Sequence, residues 1–148
     1  MSLLGPPWEG RHVLDCFAGS GAYGFEALSR GADAVVFVDR SAEVTRELAT
    51  TAQTFGVEER VRIERGDVVA VLPRLAGKTF DLVFLDPPYE SDLLEPALAG
   101  VAALVGDDTR IVAEHPASRP PPDAVGRLTC VDRRRYGDTG IAIFERTP

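Results

Sequence analysis

Short apolar runs alternate with helical stretches almost from the start of this chain, and that alternation constrains its fold more than any other feature. Residues 12–17 (His-Val-Leu-Asp-Cys-Phe) read as a buried strand. Residues 34–38 (Ala-Val-Val-Phe-Val) read as a second, closed by Asp39, with further strands over 60–65, 80–85 (Phe-Asp-Leu-Val-Phe-Leu) and 109–114. A helix carrying Phe25 and Leu28 runs to Arg30 and stops at Gly31, and another starts from a Ser41 N-cap and ends at Phe55 and Gly56. Two more are expected near 68–75 and 91–104. Strands that are continuous apolar runs are buried on both faces, and helices between them imply right-handed crossovers. The pattern predicts an open parallel α/β sheet.

The end of the chain departs from that rhythm. After a proline-rich loop from Pro116 to Pro122, residues 127–134 and 140–145 read as strands separated only by Tyr136-Gly137-Asp138-Thr139. Strands so close in sequence pair antiparallel, because a parallel pair needs a long crossover. A mostly parallel, Rossmann-like sheet with a C-terminal antiparallel hairpin resembles the class I methyltransferase arrangement. The 148 residues, 45% hydrophobic and 26% charged, fit one globular domain over 1–148 with a short leader over 1–11.

Composition removes several function classes. No apolar run approaches the roughly 20 residues of a membrane-crossing helix, and the start of the chain lacks the basic and apolar regions of a secretory signal. Cys16 and Cys130 are too few and too far apart for a disulfide framework, and with only His12 and His115 a histidine-built metal site is not expected. Cys16 reads as a small buried hydrophobe. These features suggest a cytoplasmic, metal-free protein. The net charge of -7 weighs against non-specific nucleic-acid binding, which draws its affinity from Lys and Arg on phosphates.

Ligands of open α/β sheets bind outside the carboxyl ends of the strands. Gly19, Gly21 and Gly24 occupy that place after the first strand, where glycine permits positive φ and close approach. Asp39 ends the second strand, where a carboxylate can accept both ribose hydroxyls, and Asp67 after the third is placed to border an adenine. Alone, the three glycines with Asp39 also match a dinucleotide fingerprint. Asp15, inside the first strand, favours a cationic, amino-bearing ligand such as S-adenosylmethionine, since its charge would repel a pyrophosphate. The alternative for Asp15 is a buried carboxylate holding loop amides. For Asp39 the alternative is a charge on the helix macrodipole, and for Asp67 an N-cap.

Asp86-Pro87-Pro88-Tyr89 follows the strand over 80–85 directly. Two prolines fix the backbone and remove two amide donors, leaving carbonyls free to accept. With the Asp86 carboxylate and the flat Tyr89 ring, the corner suits a planar substrate bearing an exocyclic amine. Acceptors would aim the nitrogen lone pair while Tyr89 stacks on the ring, a contact worth roughly 1–3 kcal/mol.

The block from Val13 to Ala32, the run from Phe80 to Tyr89 and the late Arg135-Tyr136-Gly137-Asp138-Thr139 closely resemble the RsmD family, bacterial methyltransferases of guanine N2 in small-subunit (16S) ribosomal RNA. The resemblance implies S-adenosylmethionine as cofactor, with Asp15, Phe17, Ala18, Gly19, Gly21, Asp39, Arg40, Asp67 and Val68 around it. Asp86, Pro87, Pro88 and Tyr89 would hold a flipped guanine. The implied partner is small-subunit rRNA or an assembling small subunit. Members of that family carry a basic segment with a β-hairpin before the first strand, and only Met1 to Arg11 precede it here. Arg133, Arg134 and Arg135 are the one basic run, read either as a grip on RNA phosphate or as a solvated strand end paired with Asp132 and Asp138. Competing readings are transfer to a DNA adenine N6 or a protein amide nitrogen, a non-catalytic binding module of the same fold, and an NAD-dependent oxidoreductase.

Overall fold

A computed structural model of the chain describes residues 9–148; the first eight residues of the expected leader lie outside them. The order is β1 (His12–Cys16), α1 (Ala22–Ser29), β2 (Ala34–Asp39), α2 (Ala42–Thr54), β3 (Val61–Arg65), α3 (Val68–Val71), β4 (Phe80–Leu85), α4 (Leu94–Val101), β5 (Val105–Pro116), β6 (Ala124–Val125), β7 (Leu128–Tyr136) and β8 (Thr139–Arg146). All eight strands form one sheet in the order β3-β2-β1-β4-β5-β8-β7-β6. The first five are parallel, and β8 joins β5 antiparallel as the second arm of the hairpin it makes with β7.

The apolar runs are buried because the sheet is covered on both faces. On one side Val13, Val35, Phe37, Leu82 and Phe84 pack with Ala27 and Leu28 of α1 and Leu48 of α2. On the other, Leu14, Cys16, Val83 and Leu85 pack with Val68 and Val71 of α3 and Ala97, Leu98 and Val101 of α4. Side chains such as Phe37, Phe84 and Phe144 are wholly enclosed, and each stabilises the fold by roughly 1.5–3 kcal/mol. The Cys16 thiol packs here as a small hydrophobe, with burial pushing its pKa up. Among the described residues no helix is long and apolar enough to cross a membrane.

Several boundaries move from the expected ones, each for a local reason. The expected helix near 91–104 starts only at Leu94, because the Ser91 N–H and hydroxyl both donate to the Pro88 carbonyl (3.0 and 2.8 Å) and tie 88–91 into a turn. The helix near 68–75 is one α turn followed by a 3-10 turn over Leu72–Leu75 containing Pro73. The fifth strand begins at Val105 instead of 109. Its exposed Gly106-Asp107-Asp108 hides it from an apolar reading, and the buried Thr109 hydroxyl bridges the Gly106 amide and the Phe80 carbonyl at a register shift. The two-residue β6, on the outer side of β7, has no apolar run to announce it.

Chain direction fixes where a ligand can enter. After β1 the strands step outward through β2 to β3, then return to the other side of β1 as β4 and β5. The order therefore reverses between β1 and β4, and a crevice opens above the carboxyl ends of those two strands.

Candidate functional site

Five carboxyl groups gather at that end of the sheet. Asp15 stands on β1, Asp39 closes β2, Asp67 follows β3, Asp86 follows β4 and Glu114 lies near the end of β5. No ion pair among the described residues engages Asp15, Asp39, Asp67, Asp86 or Glu114.

The glycine loop is held to this edge by its own amides. The Ala18 N–H donates to the Val38 carbonyl (3.1 Å) and the Gly21 N–H to the Ala18 carbonyl (2.8 Å). Asp39 joins loop to helix: one oxygen accepts from Gly19 N–H and the other from Ser41 N–H, both at 3.0 Å. The Ser41 hydroxyl in turn caps α2 at the Val44 amide. Gly19 and Gly21 adopt positive φ, and so does Phe17 at 59°, the one non-glycine residue to do so among those described. A phenylalanine in that region is strained, a feature that clusters at ligand sites.

Two clefts flank the Asp86 corner. The first, about 220 Å³, is lined by Phe17, Asp39, Arg40, Gly66, Asp67, Val68, Asp86, Pro88 and Leu93. Asp67 sits at the N-cap position of α3 but its side chain caps nothing, leaving the carboxylate to the cleft. The second, about 500 Å³, lies between Pro87, Pro88 and Tyr89 on one wall and His115, Arg119 and the proline loop on the other. Pro88 lines both. Tyr89 is 58% exposed, so its ring is open to stacking.

Seven of the thirteen sequence-assigned cofactor and corner residues thus line the first cleft, while Asp15, Ala18, Gly19, Gly21, Pro87 and Tyr89 do not line it. Asp15 is 2% exposed and accepts from the Gly24 N–H at 3.0 Å. Burial pushes its carboxyl up to about 8, against the lowering by that amide, with Asp86 and Asp39 raising it further. The expectation that Asp15 offers a bare charge needs correcting. In this structure it is a buried group holding a loop amide, and the burial that pushes its carboxyl up weakens charge repulsion as a ground for separating the two cofactor readings.

This has a measurable consequence. Between the ordinary aspartate range and about 8 the folded chain keeps a proton on Asp15 that the unfolded chain releases. Stability from this group is therefore full at low pH and lost as pH rises through that window, by up to about 1.4 kcal/mol per unit. Asp15→Asn, which can still accept from Gly24, is expected to flatten the decline and melt higher than the parent at pH 8. Thermal melts from pH 5 to 8.5 read this directly, and unchanged slopes in the variant would contradict it.

Two residues near Asp86 escaped the sequence reading, and neither lines the two clefts. Tyr23 of α1 stacks on Phe84 (centroids 4.5 Å apart), and burial, with Glu114, Asp86 and Asp15 nearby, pushes its hydroxyl up to about 12. Glu114 is hydrogen-bonded to Asp86, and burial, that bond and the Asp86 charge push it up to about 7. A signal for Glu114 existed: it closes the strand expected over 109–114 with an acid, as Asp39 closes β2 and Asp86 follows β4.

The arginine run is not brought to these clefts as one patch. Arg133 pairs with Asp123 and donates to the Pro121 carbonyl, Arg134 pairs with Asp132, and the Arg135 Nε donates to the Gly137 carbonyl. Neighbours along a strand face opposite sides, so Arg134 points away from the other two. Arg133 anchors the proline loop, and of the expected partners only Asp132 is used.

The sheet order, the helices on both faces and the crevice at the strand reversal define a class I methyltransferase fold. The chain belongs to the family described as "Conserved hypothetical protein 95", which matches residues 1–145. It is 34% identical over 149 residues to the putative rRNA methyltransferase YlbH of Bacillus subtilis, covering 98% of this chain and 81% of that protein. It is 39% identical over 88 residues to ribosomal RNA small subunit methyltransferase D of Haemophilus influenzae, covering 58% of this chain and 46% of that one. Among solved structures, a conserved hypothetical protein of Streptococcus pyogenes superposes with a TM-score of 0.88 at 28% identity, covering 97% of this chain and 91% of its own. The putative methyltransferase yhhF of Escherichia coli matches with a TM-score of 0.88 at 25% identity, covering 99% and 82%. The RsmD-type resemblance read from the sequence is borne out by these relatives.

Proposed function

We propose that the chain is a ribosomal RNA methyltransferase that transfers a methyl group from S-adenosylmethionine to the exocyclic N2 of a guanine in small-subunit rRNA. The observation that carries this reading is the pair of clefts sharing Pro88, one bordered by carboxylates and apolar planks, the other by an exposed aromatic ring and a proline turn. A cofactor site and a base site must adjoin for direct methyl transfer, and the reading is supported by two clefts that meet at Pro88.

The first cleft fits the cofactor. Asp39 spends one lone pair of each oxygen on loop amides, and a carboxylate offers about four acceptor positions, so two remain for ribose hydroxyls. The uncapped Asp67 carboxylate can accept from an adenine amine, with Val68 and Phe17 as apolar walls and Arg40 beside them. S-adenosylmethionine supplies an electrophilic methyl on a sulfonium. Gly19, where a Cβ would meet nothing within 4 Å, leaves the loop surface open to close approach.

In the second cleft Tyr89 stacks on the base, while a turn carbonyl and Asp86, which lines the first cleft beside the shared Pro88, accept the two amine hydrogens and hold the N2 lone pair at the junction of the clefts. Catalysis is then positioning, since holding the reactants aligned replaces a bimolecular encounter. Placing a base in this cleft requires taking it out of its stack, at a cost of a few kcal/mol. Arg119 at the cleft rim is paired with Asp92 and Arg133 further along the edge with Asp123, so a backbone phosphate would compete with these carboxylates for them.

Methyl transfer from labelled S-adenosylmethionine into small subunits lacking the modification, followed by digestion to nucleosides, tests the proposal. Label recovered as N2-methylguanosine supports it. Label recovered as N6-methyladenosine, or in protein, would replace the acceptor, and cofactor binding without incorporation would favour the non-catalytic module.

A further inference from the structure

His115 lines the cleft assigned to the base and has no task in the reading above. Side chains alternate along β5, with Ala113 packed on the α4 side of the sheet, so His115 projects to that side as well. There Leu94, Glu95 and Pro96 of α4 line the same cleft. In the parallel register Leu85 stands opposite Ala113, and two residues further on Pro87 and His115 reach the same depth. His115 still belongs to β5 and is paired with β8, whereas Arg119, Pro120 and Pro121 lie in the loop beyond. It therefore stands at the floor of the cleft, beside the turn that faces the amine.

Two local features fix the ring. Its partner across the strands is the buried Gly140 of β8, and the ring lies over that residue. A Cβ at Gly140 would collide with His115 Cε1 and stand 2.6 Å from Nε2 and 2.9 Å from Nδ1. The missing side chain lets the ring lie back over β8, away from Pro87, and keeps the cleft open. The second feature sets the proton. His115 Nδ1 is 2.7 Å from the Pro116 carbonyl. A carbonyl only accepts, so Nδ1–H is the donor and Nε2 of the neutral ring keeps a lone pair. No hydrogen bond or ion pair among the described residues engages Nε2. The other polar side chain of that wall, Arg119, only donates and is paired with Asp92.

A lone pair at that depth discriminates between purines that share a 2-amino group. Guanine presents N1–H beside its N2 amine. An acceptor at the cleft floor therefore extends the row formed by the turn carbonyl and Asp86. 2-Aminopurine keeps the amine but makes N1 an acceptor, which the Nε2 lone pair opposes.

We propose that His115 is a specificity-determining residue of the base site, its Nε2 accepting the guanine N1–H while the turn carbonyl and Asp86 hold the N2 amine. The inference rests on the guanine reading of the preceding subsection and names what selects that base. Gly140 is the residue that seats the ring for this task.

Three measurements on the full chain test this. Long-range proton–nitrogen NMR of the free protein should show one of its two histidines as the Nδ1–H tautomer, with that signal lost in His115→Ala. On RNA whose modified guanine has been mapped and replaced by 2-aminopurine, the parent should discriminate in kcat/KM by roughly 10–100-fold. In His115→Ala that gap should narrow about tenfold, through a loss of transfer to guanine. Gly140→Ala should drive the ring into the cleft and lower kcat/KM on guanine at least about tenfold, yet change it less than about threefold when made in His115→Ala. A folded His115→Ala that keeps the preference overturns the inference. So does an Nε2–H tautomer, or a Gly140→Ala loss that persists without the ring. A parent protein that methylates no guanine fails the preceding reading instead, and the tautomer still reports on how His115 is seated.

Discussion

Asp86→Ala is expected to lower kcat for methyl transfer by about 10²–10³-fold, the usual cost of removing one well-placed polar group from a reacting centre. Asp86 is exposed at the point where the two clefts meet, forms no ion pair among the described residues, and has Glu114 as its side-chain partner. Nothing in the core depends on it, so the melting temperature should hold or rise as carboxyl crowding is relieved. S-adenosylmethionine affinity should change far less than kcat, because Asp39, Asp67 and the loop remain. Asp86→Asn keeps one acceptor and adds a donor that opposes the amine, and should fall between parent and alanine. Single-turnover transfer at saturating cofactor, beside calorimetric cofactor binding, separates the two quantities. A folded alanine variant within about tenfold of the parent would show that the corner does not hold the amine.

The second large effect falls on folding. Gly24→Val should fail to reach the native state, while Gly19→Ala should fold and lose only about 1–2 kcal/mol from its positive φ of 54°. Both glycines belong to one motif but serve different physical needs. A Cβ at Gly24 would stand 2.4 Å from Phe37 Cε1 and 2.9 Å from Val35 Cγ1, because α1 lies directly on β2 there. Phe37 is enclosed and also packs on Phe25, so it has nowhere to go. Overpacking by even one methyl costs typically about 1–3 kcal/mol, and valine adds two further carbons against the same ring. Gly24→Ala should melt lower than the parent and recover part of the loss when combined with Phe37→Leu, which removes the clashing ring atoms. Far-ultraviolet dichroism and thermal melts of these variants decide it, and a stable Gly24→Val would contradict the packing described for α1.

These two glycines also mark what the sequence could and could not disclose. The parallel strands were legible because 12–17, 34–38 and 80–85 are apolar runs that only a sheet covered on both faces can bury. The Ser41 cap, Gly31 and Gly56 were legible because capping is chemistry within a few residues. What stayed hidden depends on neighbours distant in sequence. The start of β5 among exposed aspartates is stabilised by Thr109 reaching the Phe80 carbonyl, and β6 exists only because β7 lies beside it.

The site divides the same way. Asp39, Asp67 and Asp86-Pro87-Pro88-Tyr89 could be picked out because a strand end is a strand end in any fold of this class. The state of Asp15 could not, since desolvation depends on how α1 closes over it, and Glu114 comes beside Asp86 only when β4 and β5 align. The arginine triplet looked like a basic patch, yet strand alternation and three separate local partners divide it.

The position of the bound cofactor tests the proposed function most directly. A crystal structure of the protein with S-adenosylhomocysteine should place the ribose hydroxyls on Asp39, the adenine beside Asp67 and Val68, and the sulfur facing the Asp86-Pro87-Pro88 turn. The cleft between Tyr89 and His115 should stay clear of the nucleoside. An adenosine lodged against Tyr89, or bound away from the carboxyl ends of β1 and β4, would contradict it.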